Sequence, residues 1–485
     1  MVRDHKAASC GGEREGAEVR SPVRFDDSLP AFARLVGSAW GDTAISDNLF
    51  LRDASGHLTF VLVNDAHSTQ ERGQLASTAS ADLGAYVDGA GFAVATPEEL
   101  FDDDLRDPAR ALTVHLNHEL FKGPVHLVDR RMVGGDWLRN PEPAASAPAR
   151  IVFASLKGGV GRSTALCVLA AHLASRGRRV LAIDMDLEAP GLGNLLLPGE
   201  TLPEFGLLDY LVESEGGNPL DDQFFADLVG PSWLGGGRGR VDVIPAIGQS
   251  SLRYPANVLA KIARAYLAGT SPNGGVLSFS DYVRVLVERF ADPLKYDAVL
   301  VDARAGLHET TAAAVLGLGA EVLLFGLDQP QTFAGFELLL AHLATFSGSS
   351  DDSWQARLHV IQSKAPKDPK ARDRFSQRMD ELLAKYSPLP QVTGGVAMDP
   401  SELRDTFDVD WTEENANTLD SLIGDEQFSP IVPILDDDQF RSFDPVADRS
   451  VLADGFYSLS FGQFLEMSEA LVDSFAEHDA ADGPK

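Results

Sequence analysis

Apolar positions in the middle of the chain fall in short runs without alternation, separated by longer mixed segments. Ile151-Val152-Phe153-Ala154, Arg179-Val180-Leu181-Ala182-Ile183, Ala298-Val299-Leu300-Val301, Glu321-Val322-Leu323-Leu324-Phe325 and Leu358-His359-Val360-Ile361-Gln362 are such runs. An unalternated run of this length reads as a strand buried on both faces. Ala165 to Leu173 reads as a packed helix closed by Gly177. Strand, crossover helix and strand in repetition predict an α/β fold class, a mostly parallel sheet covered by helices on both faces. Ile431-Val432-Pro433-Ile434-Leu435 reads as its last strand. Phe461 to Phe475 is amphipathic but acidic, without a basic residue until Lys485. That pattern predicts a helix packed on its own domain instead of a membrane tether. Insertions around Gly216-Gly217-Asn218 and Gly235-Gly236-Gly237 read as surface loops. The acidic stretch 399–428 reads as a helical excursion or a lid, and the pattern does not choose.

A Pro/Ala-rich linker, residues 140–149, separates an N-terminal part from a domain spanning 150–485. Residues 1–20 read as a disordered tail, and 21–139 as a smaller α+β accessory domain. In the latter, Asn48-Leu49-Phe50-Leu51 and Leu58 to Val63 flank Asp53-Ala54-Ser55-Gly56 as a hairpin. Ala81 to Tyr86 reads helical and Val125 to Asp129 as a further strand. His115, His118 and Glu119 match no strong zinc spacing. Asp136-Trp137-Leu138 is a candidate for packing against the larger domain.

Composition narrows the class. Hydrophobic residues make up 44% of 485, enough for real cores in two or three domains. Cys10 and Cys167 are the only cysteines, which excludes a disulfide framework and a cysteine-held cluster and points to the reducing cytoplasm. No apolar run reaches the roughly 20 residues that span a bilayer. The charged, glycine-rich start does not read as a signal peptide. A formal net charge of −31 disfavours nucleic acid and anionic membranes as partners.

The candidate chemistry lies between the first strand and the first helix. Lys157-Gly158-Gly159-Val160-Gly161-Arg162-Ser163-Thr164 is a lysine-led glycine loop in strand–loop–helix context. Its glycines let backbone amides converge on phosphate oxygens, and the helix N-terminus adds partial positive charge. Ser163 offers a hydroxyl to Mg²⁺. The second strand ends in Asp184-Met185-Asp186 and a later one in Asp302. Mg²⁺ takes few carboxylates, so Asp302 suits metal binding, directly or through water. Asp186 suits orientation of an attacking water. A cap for the helix that follows is the plain alternative for either aspartate.

These three motifs resemble the deviant Walker A loop and its companions in the ParA/MinD group of P-loop ATPases, over about 150–485. Tyr296-Asp297 before the third motif and Gly306 after it are similar as well. The resemblance implies a P-loop NTPase that binds ATP and Mg²⁺ as a nucleotide-dependent homodimer. It also implies that Lys157 reaches the partner's phosphates. Ser363, in Gln362-Ser363-Lys364-Ala365-Pro366, and Pro433 match the family's base-contacting segments. Pro366 stands where a guanine reader carries aspartate, so adenine is expected. Arg162 departs from the family, which has lysine there. Arginine is bulkier and planar, so slow turnover is expected. The basic stretch Lys364, Lys367, Lys370, Arg372, Arg374 and Arg378 reads as a solvated helix start, since no aromatics interleave it. Two functions follow: a nucleotide-switched ATPase whose N-terminal domain engages a protein partner, or a weakly hydrolysing regulatory subunit of a larger system such as bacterial defence machinery.

Overall fold

In this computed structural model the described residues are 23–64, 67–88, 91–108, 111–131, 133–217, 219–236, 239–270, 275–346, 354–386 and 431–481. The tail 1–20 and the stretch 399–428 discussed above lie outside them. Contacts divide the chain into two units, Met1–Arg131 and Met132–Lys485.

The first unit is built on a five-stranded sheet in the order β3-β2-β1-β5-β4, from β1 (Leu49–Arg52), β2 (Leu58–Val61), β3 (Val94–Ala95), β4 (Leu112–Asn117) and β5 (Lys122–Asp129). β1 and β2 form the expected hairpin, Leu49 opposite Val61. Asp53 shapes its turn, accepting from the amides of Ser55 and His57 at 2.9 and 2.8 Å. Helices Phe25–Trp40 and Thr69–Leu83 accompany the sheet, and Phe32, Phe50 and Phe60 meet in the core. The second helix begins on a reciprocal cap between Ser68 and Glu71. His118 pairs with Asp27 at 3.2 Å.

The second unit carries an eight-stranded, mostly parallel sheet. Its strands are β6 (Ala149–Ser155), β7 (Arg179–Asp184), β8 (Gly230–Gly236), β9 (Gly239–Ile244), β12 (Ala298–Ala305), β13 (Glu321–Gly326), β14 (Leu358–Ala365) and β15 (Val432–Leu435). A small pair, β10 (Gly269–Thr270) and β11 (Val276–Leu277), lies apart. The order is β15-β14-β13-β6-β12-β7-β9-β8, and only β8 runs antiparallel to its neighbour. Alternate residues enter two cores: Ile151 and Phe153 face one, Val152 and Ala154 the other. The same division holds along β7, β12 and β13, which explains their unalternated apolar runs.

Gly235 and Gly236 belong to β8 and not to the surface loop their composition suggested. The hairpin is glycine-rich because the chain comes too close for side chains. A Cβ on Gly239 would lie 2.0 Å from the Ala174 carbonyl oxygen, and one on Gly235 3.0 Å from that of Gly239. The helix Asp454–Ala481 buries Tyr457, Phe464 and Leu465 in the core shared with helix Arg162–Ser175. Glu469 pairs with His172 and Arg176, and Asp473 with Arg178. Among the described residues no helix is long and apolar enough to cross a membrane.

Residues 133–148 pack within the second unit. Trp137 is buried in its core, and Glu309 accepts from the amides of Gly134, Gly135 and Asp136. Arg139 forks onto Asp281 at 2.7 and 2.8 Å, and Glu142 donates its amide to the Leu316 carbonyl at 2.7 Å.

Candidate functional site

The glycine loop turns out of β6 into helix Arg162–Ser175. Gly159 and Gly161 take φ of +74° and +98°, a region that glycine enters without strain. A Cβ built on Gly158, Gly159 or Gly161 meets nothing within 4 Å, so the loop borders open space. No side chain caps the helix behind it, which leaves its first amides available to an anion.

Parallel register delivers the acids to this loop. Asp302 and Asp184 sit opposite one another on β12 and β7. Ser163 Oγ donates to Asp302 Oδ2 at 2.5 Å. Arg162 is almost buried and is held from three sides. It donates to Ser155 Oγ at 2.9 Å and approaches Asp302 at 3.5 Å and Asp186 at 3.6 Å. Lys157 Nζ donates to Gln329 Oε1 at 2.6 Å, and Lys364 Nζ to the Gly159 carbonyl at 3.0 Å. Lys364 itself has φ of +49°, unusual for a residue with a side chain.

Burial sets the charge states. It raises the Asp302 carboxyl to about 6, against the pull of Arg162 and the Ser163 hydroxyl. It raises Asp184 to about 7, with the Asp302 charge adding to it and the amides of Gly191, Asp186 and Leu192 opposing. Asp186 is also raised by burial, and the Ala189 amide, Arg162 and Arg304 draw it back. Asp302 Oδ1 is buried without a hydrogen-bond partner. A buried carboxylate oxygen that makes no hydrogen bond, with only the Arg162 guanidinium facing it at 3.5 Å, beside a serine hydroxyl suits a hard cation, so the residues present fit Mg²⁺ held by Ser163 and Asp302.

A cleft of about 930 Å³ is lined by the loop from Gly159 to Thr164, by Ser363 and Lys364, and by Ile434–Asp437. Phe440, Phe443 and Phe461 also line it as an aromatic wall, with Phe440 and Phe461 edge-to-face at 4.9 Å. The lining thus combines amides and cations suited to phosphates with aromatic rings suited to a planar ring. Pro433 lies in β15 opposite Gln362, one residue before the lining begins. Lys157, Asp186 and Asp302 stand beside the lining through Gln329, Arg162 and Ser163, and Gly158 precedes it in the loop.

The basic stretch is not a uniform surface. Lys364 reaches the loop, Arg374 binds Asp328, and Arg378 lies over the Phe333 ring at 3.8 Å. Asp437 is a cap, accepting from Gln439 and Ser460. Sequence reasoning missed Asp184, Gln329 and the aromatic wall. Asp184 was visible in the Asp-Met-Asp run, but its amide partners at 191 and 192 were not.

A family model described as the CobQ/CobB/MinD/ParA nucleotide binding domain matches residues 151–477. Comparison with curated proteins gives no match. Similar solved structures include the cell division ATPase MinD of Pyrococcus furiosus, at 18% identity, covering 67% of this chain and 99% of that one with a TM-score of 0.37. Another is MinD of Aquifex aeolicus, at 15% identity, 69% and 98% coverage and a TM-score of 0.36. A third is a ParA family ATPase of Chlorobium tepidum, at 20% identity, 49% and 82% coverage and a TM-score of 0.33. With a glycine loop, two acid-tipped strands and a family match over two thirds of its length, this chain belongs to the CobQ/CobB/MinD/ParA nucleotide-binding family.

Proposed function

We propose that the protein binds ATP with Mg²⁺, hydrolyses it slowly and dimerises in response to it, its N-terminal unit engaging a protein partner. The observation that carries this reading is the buried, half-satisfied Asp302 bonded to Ser163 under an open glycine loop. The loop amides receive phosphate oxygens, and the aromatic wall receives adenine. Ser163 and Asp302 would hold magnesium, which would supply charge neutralisation at the terminal phosphates. Asp186 orients the water for attack, and Lys157 leaves Gln329 for the phosphates of a second copy. A net charge of −31 makes protein a better partner than nucleic acid.

Slow turnover follows from Arg162. Its guanidinium must leave Ser155, Asp302 and Asp186 before it grips phosphate, and its planar head fits a point-charge role poorly. The same anchoring favours a second reading, a regulatory subunit in which ATP holds shape and turnover is incidental.

Mass in solution without nucleotide, with ADP and with a non-hydrolysable ATP analogue, beside the turnover rate, separates the two. ATP-dependent doubling that Lys157→Ala abolishes supports the switch. Constant mass with tightly held, unturned ATP supports the regulatory subunit. Arg162→Lys is expected to raise turnover by about tenfold, a lowering of the barrier by about 1.4 kcal/mol. No nucleotide binding by calorimetry removes both readings.

A further inference from the structure

Asp302 lies in β12 and Asp186 on the loop that follows β7, and their relative placement depends on what joins that loop to the end of β12. Main-chain bonds do part of this: the Met185 amide donates to the Asp302 carbonyl, and the Gly306 amide to the Ser155 carbonyl. Between Asp302 and Ala305 the register of β12 against β6 shifts, and Arg304 lies in the break. A register break re-aims side chains locally. Arg304 Nη1 donates to Glu188 Oε1 at 2.7 Å, so the residue two after Asp302 is paired with the residue two after Asp186.

Other groups hold the pair from a third segment. Tyr266, just beyond helix Val258–Ala265, donates its hydroxyl to the same Glu188 oxygen at 2.9 Å. The Tyr266 ring packs edge-on to His308 at 4.8 Å and near Phe279 at 5.4 Å. Thr311 Oγ1 donates to the Arg304 carbonyl at 3.0 Å, fixing the backbone that presents the guanidinium. The Arg304 and Glu188 side chains are 29% and 28% exposed, less wet than an ordinary surface pair.

We propose that Arg304 is a positioning residue for ATP turnover, which through Glu188 and Tyr266 fixes the loop bearing Asp186 relative to the segment bearing Asp302. The role rests on the hydrolytic reading above and adds a residue to it. The water that Asp186 orients must meet a phosphate placed by Ser163 and the glycine loop. An error of about 1 Å between two such partners costs about a hundredfold in rate while leaving ground-state binding little changed. Arg304 therefore governs kcat and not nucleotide affinity.

The test is steady-state ATP hydrolysis by the full chain, with binding of a fluorescent ATP analogue and thermal melting alongside. Arg304→Gln is expected to lower kcat at least about tenfold, with KM and analogue affinity within about threefold. Glu188→Gln is expected to reproduce that loss. The double variant should add nothing further, because the two side chains act as a unit. Arg304→Lys keeps the charge without the fork and should fall between, which keeps the test decisive if Arg304→Gln melts early. An unchanged kcat, a rise in KM alone, or additive losses would overturn the assignment. Turnover by the unaltered protein together with an indifferent Arg304→Gln sinks this inference alone. Analogue binding without any turnover by the unaltered protein sinks the hydrolytic reading and this inference with it.

Discussion

The tips of β7 and β12 present the same group in adjacent register, yet the two carboxylates are satisfied differently. Asp184 Oδ1 accepts from the Asp186 amide at 3.1 Å, and Oδ2 from Gly191 and Leu192 at 2.9 and 3.0 Å. Both oxygens are spoken for by the chain's own backbone, which folds the 184–192 turn around them. Asp302, equally buried, has a serine on one oxygen and no hydrogen bond on the other. A saturated buried acid braces a loop, whereas one with an open oxygen is prepared for something absent from the chain. Type and burial alone do not separate a strut from a site. The census of donors does.

The strongest way to break this distinction is Asp302→Asn. Catalytic efficiency is expected to fall at least about a hundredfold, as when a fixed electrostatic partner is lost. The melting temperature should stay within about 3 °C, because the asparagine oxygen still accepts from Ser163. Wild-type turnover in that variant would erase the contrast. Asp184→Asn should do the reverse to stability. Its amide nitrogen must face a backbone N–H, leaving buried donors unpaired at about 2 kcal/mol and lowering the melting temperature by roughly 5 °C. An unaltered melt would show that the three amides are not the reason for this aspartate.

The smallest effect concerns pH. Asp184 is raised to about 7 from an ordinary value of 3.8, so the folded state takes up its proton more readily than the unfolded chain. Its contribution to stability is full below the unfolded value and is lost as pH rises through about 7. The melting-temperature gap between the unaltered protein and Asp184→Asn should therefore shrink by roughly a few degrees between pH 5.5 and 8. A gap that widens would mean that the amides outweigh burial. Asp281 works in a separate window. Burial there is outweighed by Arg139 and Ser278, so it falls to about 2 and costs stability only in acid.

Much of the parallel sheet was legible because its strands are buried on both faces, which leaves an unmistakable apolar run such as Leu300-Val301 before Asp302. The glycine loop was legible because glycine at 159 and 161 answers a local backbone demand. Contacts made across the sheet were not. Lys364 looked like part of a basic patch, and only the fold brings its ammonium to the Gly159 carbonyl. Phe461 looked like a helix's core residue, and it also lines the cleft beside Phe440. Glu188 carried no signal, since its partners at 266 and 304 are remote in sequence. In the first unit the hairpin was readable from its turn. The unit's helix Thr69–Leu83 was read only at its end, as Ala81 to Tyr86, because it buries only Leu75, Ala79 and Leu83 and so leaves little apolar periodicity.

The packing of residues 133–148 decides where the nucleotide-binding half can be cut free. A fragment starting at Asn140 loses Trp137 from its core and strips the Arg139 fork from Asp281. It also leaves the Glu309 carboxylate without its three amide donors. Removal of a buried aromatic alone costs about 3–5 kcal/mol. The autonomous piece accordingly begins near Val133, and a protease probing the native protein should spare the proline-rich stretch that its composition marks as the obvious target.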